Sequence, residues 1–471
     1  VNQHPEREAL QVKYSKADIR RKFKKIPTLQ FEAASPMTPF AGLVVFQALF
    51  QVLDLKGRLC RCFSHLDGAA IYRHGGVILL LVVQILLGQQ RLRGRDLIAH
   101  DPMVKRVLGV SALPDVATVS RVLSGADARS VASVRRLSRD LVLDRLEAEA
   151  FRVVTVDFDG SVQSFKGHSE GTAVGFNKVK KGARSYYPLF GTVAQLGQVL
   201  DLHHRPGNVH DSNGAPAFMK ECFASIRSRL PRVRLEARFD SAFFNKEFVG
   251  ELDAAGVAFT GSVPFQRFPE FKQRVLAEQN WIRINETWAC AESDWKPASW
   301  DQGHRIVLFR RKRAVQRKGP LQLDLFEPRD FTFEYKVVVT NKEAHHARTV
   351  LAFHNGRGSQ EKLFGEAKQH AALGVIPTRT LHGNQLFCLA GILAHNLARE
   401  LQMRCAGPTR STLPKRPARW EFLTLGTLRQ RIIQRVGRFL WPQGRLTLRI
   451  AGDAEVADEM ARYVDALQKA A

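Results

Sequence analysis

The acidic residues at two strand ends and one mixed cluster further along carry the chemistry in this sequence. Asp157 and Asp159 lie two apart in FRVVTVDFDGS, Phe151 to Ser161. On a strand both carboxylates face one side, while Val154, Val156 and Phe158 face the other. Asp240 closes the alternating segment RVRLEARFD, whose Val233, Leu235, Ala237 and Phe239 share a face. Acids at the ends of apolar strands are costly to bury unless paired or bound to a cation. Two such strand ends can bring hard oxygen ligands to one point at a sheet edge, a set that suits Mg²⁺ or Mn²⁺. The plainer alternative is local: Asp159 starts a turn with Gly160, and Asp240 caps the next helix.

The third group is HNGRGSQEKLFGEAK, His354 to Lys368. On one helix His354, Arg357, Glu361 and Lys368 would fall within an arc of roughly 60°, one acid among three potential cations. Leu363, Phe364, Ala367 and Ala371 occupy the adjoining arc and would pack on a sheet. Glycines at 356, 358 and 365 weaken the start of this helix. With Ser359 as its cap, His354 and Arg357 would sit on the preceding loop. A charged solvent face is the plainer alternative. Attack of water or a 3′-hydroxyl on a DNA phosphodiester needs an activated nucleophile and a stabilised leaving oxygen. Two divalent ions roughly 4 Å apart can do both. Three carboxylates are a minimal anchor for them, and nearby Arg and Lys would hold the surrounding phosphates.

The elements that must position these groups follow from pattern. Residues 1–150 are expected to form a helical N-terminal DNA-binding region, with a basic arm at Arg20 to Lys25 and a buried apolar helix at Val77 to Leu87. Within it, Pro114 and Asp115 punctuate a helix-turn-helix-like stretch whose second helix would carry Thr118, Ser120 and Arg121 outward. Residues 151–263 run strand, two hairpin strands turning near Gln195 to Gly197, helix, strand, helix, strand. That order predicts a mixed sheet with helices, as in a ribonuclease-H-like core. Residues 264–335 carry four of the six tryptophans and the basic run Arg310, Arg311, Lys312 and Arg313, and are expected to be a β-rich insertion with a basic edge. Residues 336–404 return to the core with the helix bearing Glu361. Residues 405–471 are expected to be a basic helical C-terminal region; positions 401–450 hold 11 Arg or Lys against one acid, Glu421.

At this point the sequence resembles a DDE transposase of a bacterial insertion sequence, in the cut-and-paste group with the signature Tyr-x2-Arg-x3-Glu-x6-Lys. His354, Arg357, Glu361 and Lys368 match that spacing, with His for Tyr. DFDGS resembles the first-aspartate motif and RFDSAFF the second. The segments Lys166 to Leu189 and His204 to Ala215 are similar to linking segments of the family, so the likeness spans about 150–400. The resemblance implies an α/β fold with a ribonuclease-H-like core interrupted by a β-rich insertion. It implies Asp159, Asp240 and Glu361 as metal-binding catalytic residues, with Asp157 the alternative first ligand. It also implies two Mg²⁺ or Mn²⁺ per site, a hairpin intermediate, phosphate grip by Arg357 and Lys368, with His354 in the Tyr position still able to donate to a DNA phosphate, and a homodimer on DNA.

Composition fits this direction. Among 471 residues, 71 Lys and Arg against 45 Asp and Glu leave a formal charge of +26, which points to a polyanionic partner. A hydrophobic content of 45% excludes a disordered tail protein. The longest apolar run is too short for a membrane span, and six scattered cysteines offer neither zinc spacing nor a disulfide framework. A cytoplasmic, nucleoid-associated DNA enzyme is the expectation, with the element's terminal inverted repeats and target DNA as partners and no membrane. The alternatives are a nuclease or resolvase on the same fold, a non-catalytic DNA-binding regulator, and an RNA-binding protein.

Overall fold

The computed structural model describes residues 36–469 except 67–70, 176, 178–179, 211–212, 315–330 and 411–413. The basic arm Arg20 to Lys25 lies outside the described residues. Strand β1 (Met37–Thr38) leads into helices α1 (Leu43–Val52), α2 (Leu55–Cys62), α3 (His74–Leu86), α4 (Pro102–Leu108), α5 (Val116–Ser124) and α6 (Ala128–Glu149). Every residue of α3 from Val77 to Leu86 is buried, as its unbroken apolar run requires. Asp101, Asp115 and Asp127 cap α4, α5 and α6 by accepting the backbone N–H three residues on.

Strands β2 (Val153–Gly160), β3 (Gln163–Phe165), β4 (Ala173–Val174), β5 (Arg184–Tyr186), β6 (Leu189–Val193) and β7 (Gln198–His203) follow. Then come α7 (Ala215–Arg229), β8 (Arg234–Phe239), α8 (Lys246–Ala254) and β9 (Ala258–Ser262). These agree with the alternation and helix periods of the sequence. Next are α9 (Pro269–Ala277), β10 (Ile282–Arg283), β11 (Trp288–Ser293), β12 (Arg305–Ala314) and β13 (Phe331–Thr340). The chain closes with α10 (Ala347–Asn355), α11 (Gly358–His370), α12 (Leu381–Cys405), α13 (Leu425–Leu428), β14 (Gly437–Leu440), β15 (Thr447–Ile450) and α14 (Ala454–Gln468).

The protein is a mixed α/β molecule around a nine-stranded sheet ordered β10-β11-β12-β13-β9-β8-β2-β6-β7. Strands β2, β8 and β9 are parallel, and β6, β7 and β13 run against their neighbours. On one face Phe158 meets Phe218 and Phe223 of α7 and Phe248 of α8 edge-on, at 5.7–6.1 Å between ring centres. Burying Val154, Val156 and Phe158 stabilises this layer by roughly 1.5–3 kcal/mol each. The opposite face carries α10, α11 and α12. Asn396 of α12 bonds both backbone groups of Val199, the N–H to its Oδ1 at 2.9 Å and the C=O from its Nδ2 at 2.7 Å. Its amide thus satisfies the outer side of the edge strand β7, which would otherwise be left unpaired. In β7, Asp201 accepts a two-bond fork from Arg135 of α6, tying the N-terminal helices to the sheet.

Two expectations change. The strands of the segment 264–335, expected as a β-rich insertion, continue the core sheet, because Val338 to Thr340 of β13 pair with β9. The segment also contains α9, whose Phe271 stacks on Trp295 at 3.9 Å. The region after residue 405 is only partly helical: β14 and β15 form a hairpin that pairs with β1, and α14 is its one long helix among the described residues. Alternating Phe439 and Leu448 inward with Arg438 and Arg449 outward is a strand pattern, which the density of arginines obscures.

Candidate active site

The geometry starts from a register. In the parallel pair β2–β8, each residue from Val153 to Phe158 faces the residue 81 positions later, ending at Phe158 and Phe239. Asp159 and Asp240 are the next residues along the two chains, so both lie at the same end of the sheet, Asp240 just past the end of β8. Each aspartate fixes one oxygen locally. Asp159 Oδ1 accepts the Gly160 N–H at 2.8 Å, and Asp240 Oδ1 accepts the Ala242 N–H at 2.9 Å, capping the turn Ser241–Phe243. The local roles expected of these residues are therefore present, and they orient the carboxylates.

Glu361 reaches this end on the first turn of α11. The helix start is anchored by Gln360, whose Nε2 donates to the Asp157 carbonyl at 3.0 Å. Arg357, the residue before α11, donates to Asp159 Oδ2 at 3.2 Å and to Glu361 Oε1 at 3.3 Å. One guanidinium thus spans two of the three carboxylates. Asp159 is 16% exposed and Glu361 66%. Farther along α11, the protein packed around the Lys368 ammonium pulls its pKa below the ordinary lysine range, and the Asp159 charge opposes this.

Asp157 sits differently. It is one row deeper on the same face, 1% exposed, and both its oxygens accept from Arg238, at 2.5 and 2.8 Å. Burial pushes its carboxyl up, with the Arg238 charge as the main opposing influence. Arg238, fully buried, also donates to the carbonyls of Phe353 and Lys415 and lies over the Phe353 ring. This pair was not anticipated, although its signal lay in the sequence: Arg238 is 81 positions after Asp157, the same offset as Asp240 from Asp159.

The four residues expected on one helical face are divided between two helices. His354 ends α10, Arg357 stands at the junction, and Glu361 and Lys368 lie on α11. The break falls at Gly356, where a Cβ would overlap Arg238 Nη1 and the Lys415 carbonyl. His354 is buried, with Nδ1 3.2 Å from Thr260 Oγ1 and Nε2 2.9 Å from Ser262 Oγ. Burial holds its pKa well below the usual histidine value, with the charges of Lys336, Arg357 and Arg238 adding to this. A neutral ring with both nitrogens engaged braces α10 against β9 and presents no charge outward.

Asp159, Asp240 and Glu361 offer hard oxygen donors of the kind Mg²⁺ and Mn²⁺ take. Among the described residues, no group of three or more His, Cys, Asp or Glu side chains is gathered tightly enough to hold an ion as it stands. The donor chemistry fits. As they stand, Arg357 lies between Asp159 and Glu361 and donates to both.

The sequence profile of the family described as "Transposase DDE domain group 1" matches residues 27–471. The chain belongs to this family of DDE transposases. No curated protein matches. Among solved structures the chain is similar to a cryo-EM structure of the piggyBac transposase synaptic complex with hairpin DNA. The identity is 11%, over 78% of this chain and 76% of that one, with a TM-score of 0.37. Two Mos1 structures, a transposase paired-end complex with the left transposon end and a mariner paired end complex with Mn, give 13% and 12% identity. Each covers 33% of this chain and 52% of that one, with TM-scores of 0.18 and 0.17.

This transposase carries its other expected basic residues on two surfaces. Arg310 of β12 lies between the rings of Trp281 and Phe333, at 4.5 and 4.6 Å. With Lys312 they line an open cavity of about 600 Å³. Arg311 pairs with Glu334 at 2.7 Å and lies over Trp288. Arg313 continues β12 opposite Thr332. Arg121 is exposed on α5 and donates to Thr118 Oγ1 at 3.0 Å. Lys336 of β13, not anticipated, donates to Asn355 at 2.6 Å and feels the charges of Arg357 and Glu361, linking the tryptophan-rich strands to the carboxylate end. In the C-terminal hairpin Arg438 stands directly opposite Arg449. A like-charged cross-strand pair is destabilising unless an anion lies over it.

Proposed function

We propose that this transposase cleaves DNA at the ends of its own insertion sequence and joins them to target DNA, using Asp159, Asp240 and Glu361 as its catalytic carboxylates. The observation that carries this is the β2–β8 register, which brings Asp159 and Asp240 to one sheet end where Arg357 already links Asp159 to Glu361. Asp157 is set aside as first ligand, because both its oxygens serve Arg238. The fold assignment is a ribonuclease-H-like core over 151–263 and 336–404, supported by three antiparallel strands followed by two parallel to the first. The helices of the described part of segment 1–150, Leu43 to Glu149, and the basic segment 405–471 flank it.

Two Mg²⁺ or Mn²⁺ held by the three carboxylates would supply an activated nucleophile and a stabilised leaving oxygen. The chain's own residues do the rest. Arg357, displaced from between the carboxylates, and Lys368 grip the phosphates next to the cut, while Arg310, Arg311, Lys312, Arg313 and Arg121 hold flanking duplex. His354 positions α10 and hence Arg357; it does not touch DNA. The working unit is a homodimer on two ends, cutting through a hairpin, in the bacterial cytoplasm at the nucleoid. Among the described residues no helix is long and apolar enough to cross a membrane.

The test is incubation with duplexes bearing the element's own ends and a target plasmid, with Mg²⁺ or Mn²⁺. Asp240→Asn and Glu361→Gln are expected to abolish cleavage while end binding persists. Cleavage by either variant at the wild-type rate overturns the assignment. Cutting without joined products reassigns the protein as a nuclease on the same fold.

A further inference from the structure

The parallel strands have a second end, opposite the carboxylates. There β2 starts at Val153 and β8 at Arg234, six residues from Asp159 and Asp240, so about 20 Å separates the two ends at roughly 3.3 Å per residue. A cavity of about 510 Å³ opens at this far end, and Arg152, Arg234, Arg410, Arg416 and Arg419 all line it, with Glu149, which Arg145 already holds at 3.2 Å, as its one acid. Two of the five are matched by acids, Arg416 by Glu236 at 3.1 Å and Arg410 by Glu421 at 2.7 Å. Arg152, Arg234 and Arg419 have no carboxylate partner among the described residues, and Arg152 and Arg234 are exposed. Arg419 is held in place by lying over the Phe151 ring at 5.4 Å, and its backbone N–H donates to the Gln195 carbonyl at 2.8 Å.

The basic surface does not stop at that cavity. A second one, of about 630 Å³, shares Arg152 and Arg234 and adds the exposed Arg232. The result is a strip running from Arg419 through Arg152 and Arg234 to Arg232. Unmatched guanidinium groups along one strip repel one another, and an anion lying on it would relieve that repulsion. Guanidinium forks match phosphate oxygens in pairs. Two contiguous open cavities sharing a wall fit a repeating polyanion better than one small anion.

We propose that this strip is a second DNA-binding surface, gripping the phosphodiester backbone of duplex DNA separately from the DNA at the carboxylates. The identity of the polyanion rests on the transposase function proposed above. The bound segment is a different duplex, or a different stretch of the same one, because about 20 Å of sheet lies between the two ends. In this arrangement one end of the sheet cuts while the other end holds DNA that is not being cut.

The test measures binding of a fluorescent duplex lacking element sequence to the full chain as a function of salt. Each phosphate contact contributes about 0.9 to the slope of log K against log salt. R152Q/R234Q/R419Q is expected to lower that slope by about 2–3 and to weaken binding at low salt. The control R267Q/K272Q/R462Q removes the same charge at exposed sites elsewhere and is expected to keep the wild-type slope. Hydrogen exchange of the wild type with and without duplex is expected to show protection at 151–153 and 232–235. An equal slope in the two variants, or no protection at those segments, overturns the proposal. So does stabilisation of wild type but not R152Q/R234Q/R419Q by inorganic phosphate with slopes unchanged, which identifies a small-anion pocket. End cleavage is read separately. Wild type that cuts ends with the slope unchanged refutes only this surface; wild type that never cuts but shows the slope loss refutes only the catalytic reading.

Discussion

Asn in place of Asp157 removes the charge that holds Arg238 inside the sheet, so this substitution is expected to weaken the fold and leave the chemistry of correctly folded molecules intact. The two side chains are 1% and 0% exposed and share two hydrogen bonds. Breaking a buried pair by removing one partner costs roughly 3–5 kcal/mol, because the remaining charge is left without compensation. At roughly 1 °C per kcal/mol for a chain of 471 residues, the expected fall in Tm is about 3–5 °C. Asp159→Asn is the contrast. Asp159 lies at the rim, and its contact with Arg357 is of the partly exposed kind that contributes up to about 1 kcal/mol. Its Tm is expected to move by about 1 °C at most while cleavage of end-bearing duplex disappears. The assay pairs thermal melts with Mg²⁺-dependent cleavage for both variants. A D157N protein that melts like wild type yet cannot cut would move the first catalytic carboxylate to Asp157. So would a D159N protein that cuts normally. A double-mutant cycle with Arg238→Met is expected to give a coupling of about 2 kcal/mol or more for the buried pair.

Gly356→Ala forces a methyl group onto Arg238 and the Lys415 carbonyl, and is expected to destabilise by about 1–3 kcal/mol, read as a lower urea midpoint; an unchanged midpoint would mean the α10–α11 junction is slack. Arg357→Ala releases Asp159 Oδ2 and Glu361 Oε1. Calorimetric titration is expected to show Mn²⁺ binding about tenfold tighter, equivalent to about 1.4 kcal/mol, with weaker affinity for element ends; weaker Mn²⁺ binding would show that Arg357 helps to build the metal site. Burial, aided by the Arg399 charge, lowers the His395 pKa to about 4, below its unfolded value near 6.5. The unfolded chain therefore takes up this proton first, and native stability falls as pH drops through that window. Relative to His395→Asn, the wild type is expected to lose about 1.4 kcal/mol per pH unit between about 6.5 and 4; a constant difference across that range would contradict a buried neutral imidazole.

Much of the local structure is legible in the chain. Alternation marks β2, β8 and β9, apolar repeats mark α7 and α8, and the continuous apolar run marks α3 as buried on all sides. These signals are local because backbone periodicity and side-chain burial repeat within a few residues. The charge imbalance and the spacing of Arg357, Glu361 and Lys368 are also properties of the chain alone. What the chain leaves open depends on partners far away in sequence. Asp157 and Asp159 have the same type, face and neighbourhood, and only the pairing of β2 with β8 puts Arg238 against Asp157 and leaves Asp159 at the strand's end. His354 looks like a phosphate contact until α10 turns it into Thr260 and Ser262. That the tryptophan-rich strands join the core sheet appears only when β13 pairs with β9, and the arginines after residue 405 hide a strand hairpin that pairs with β1. Backbone periodicity selects strand or helix within a short window, but desolvation and charge depend on whatever the fold stacks against each side chain. Tertiary structure therefore decided which carboxylate is structural, which one stands at the rim, and where the surplus arginines gather.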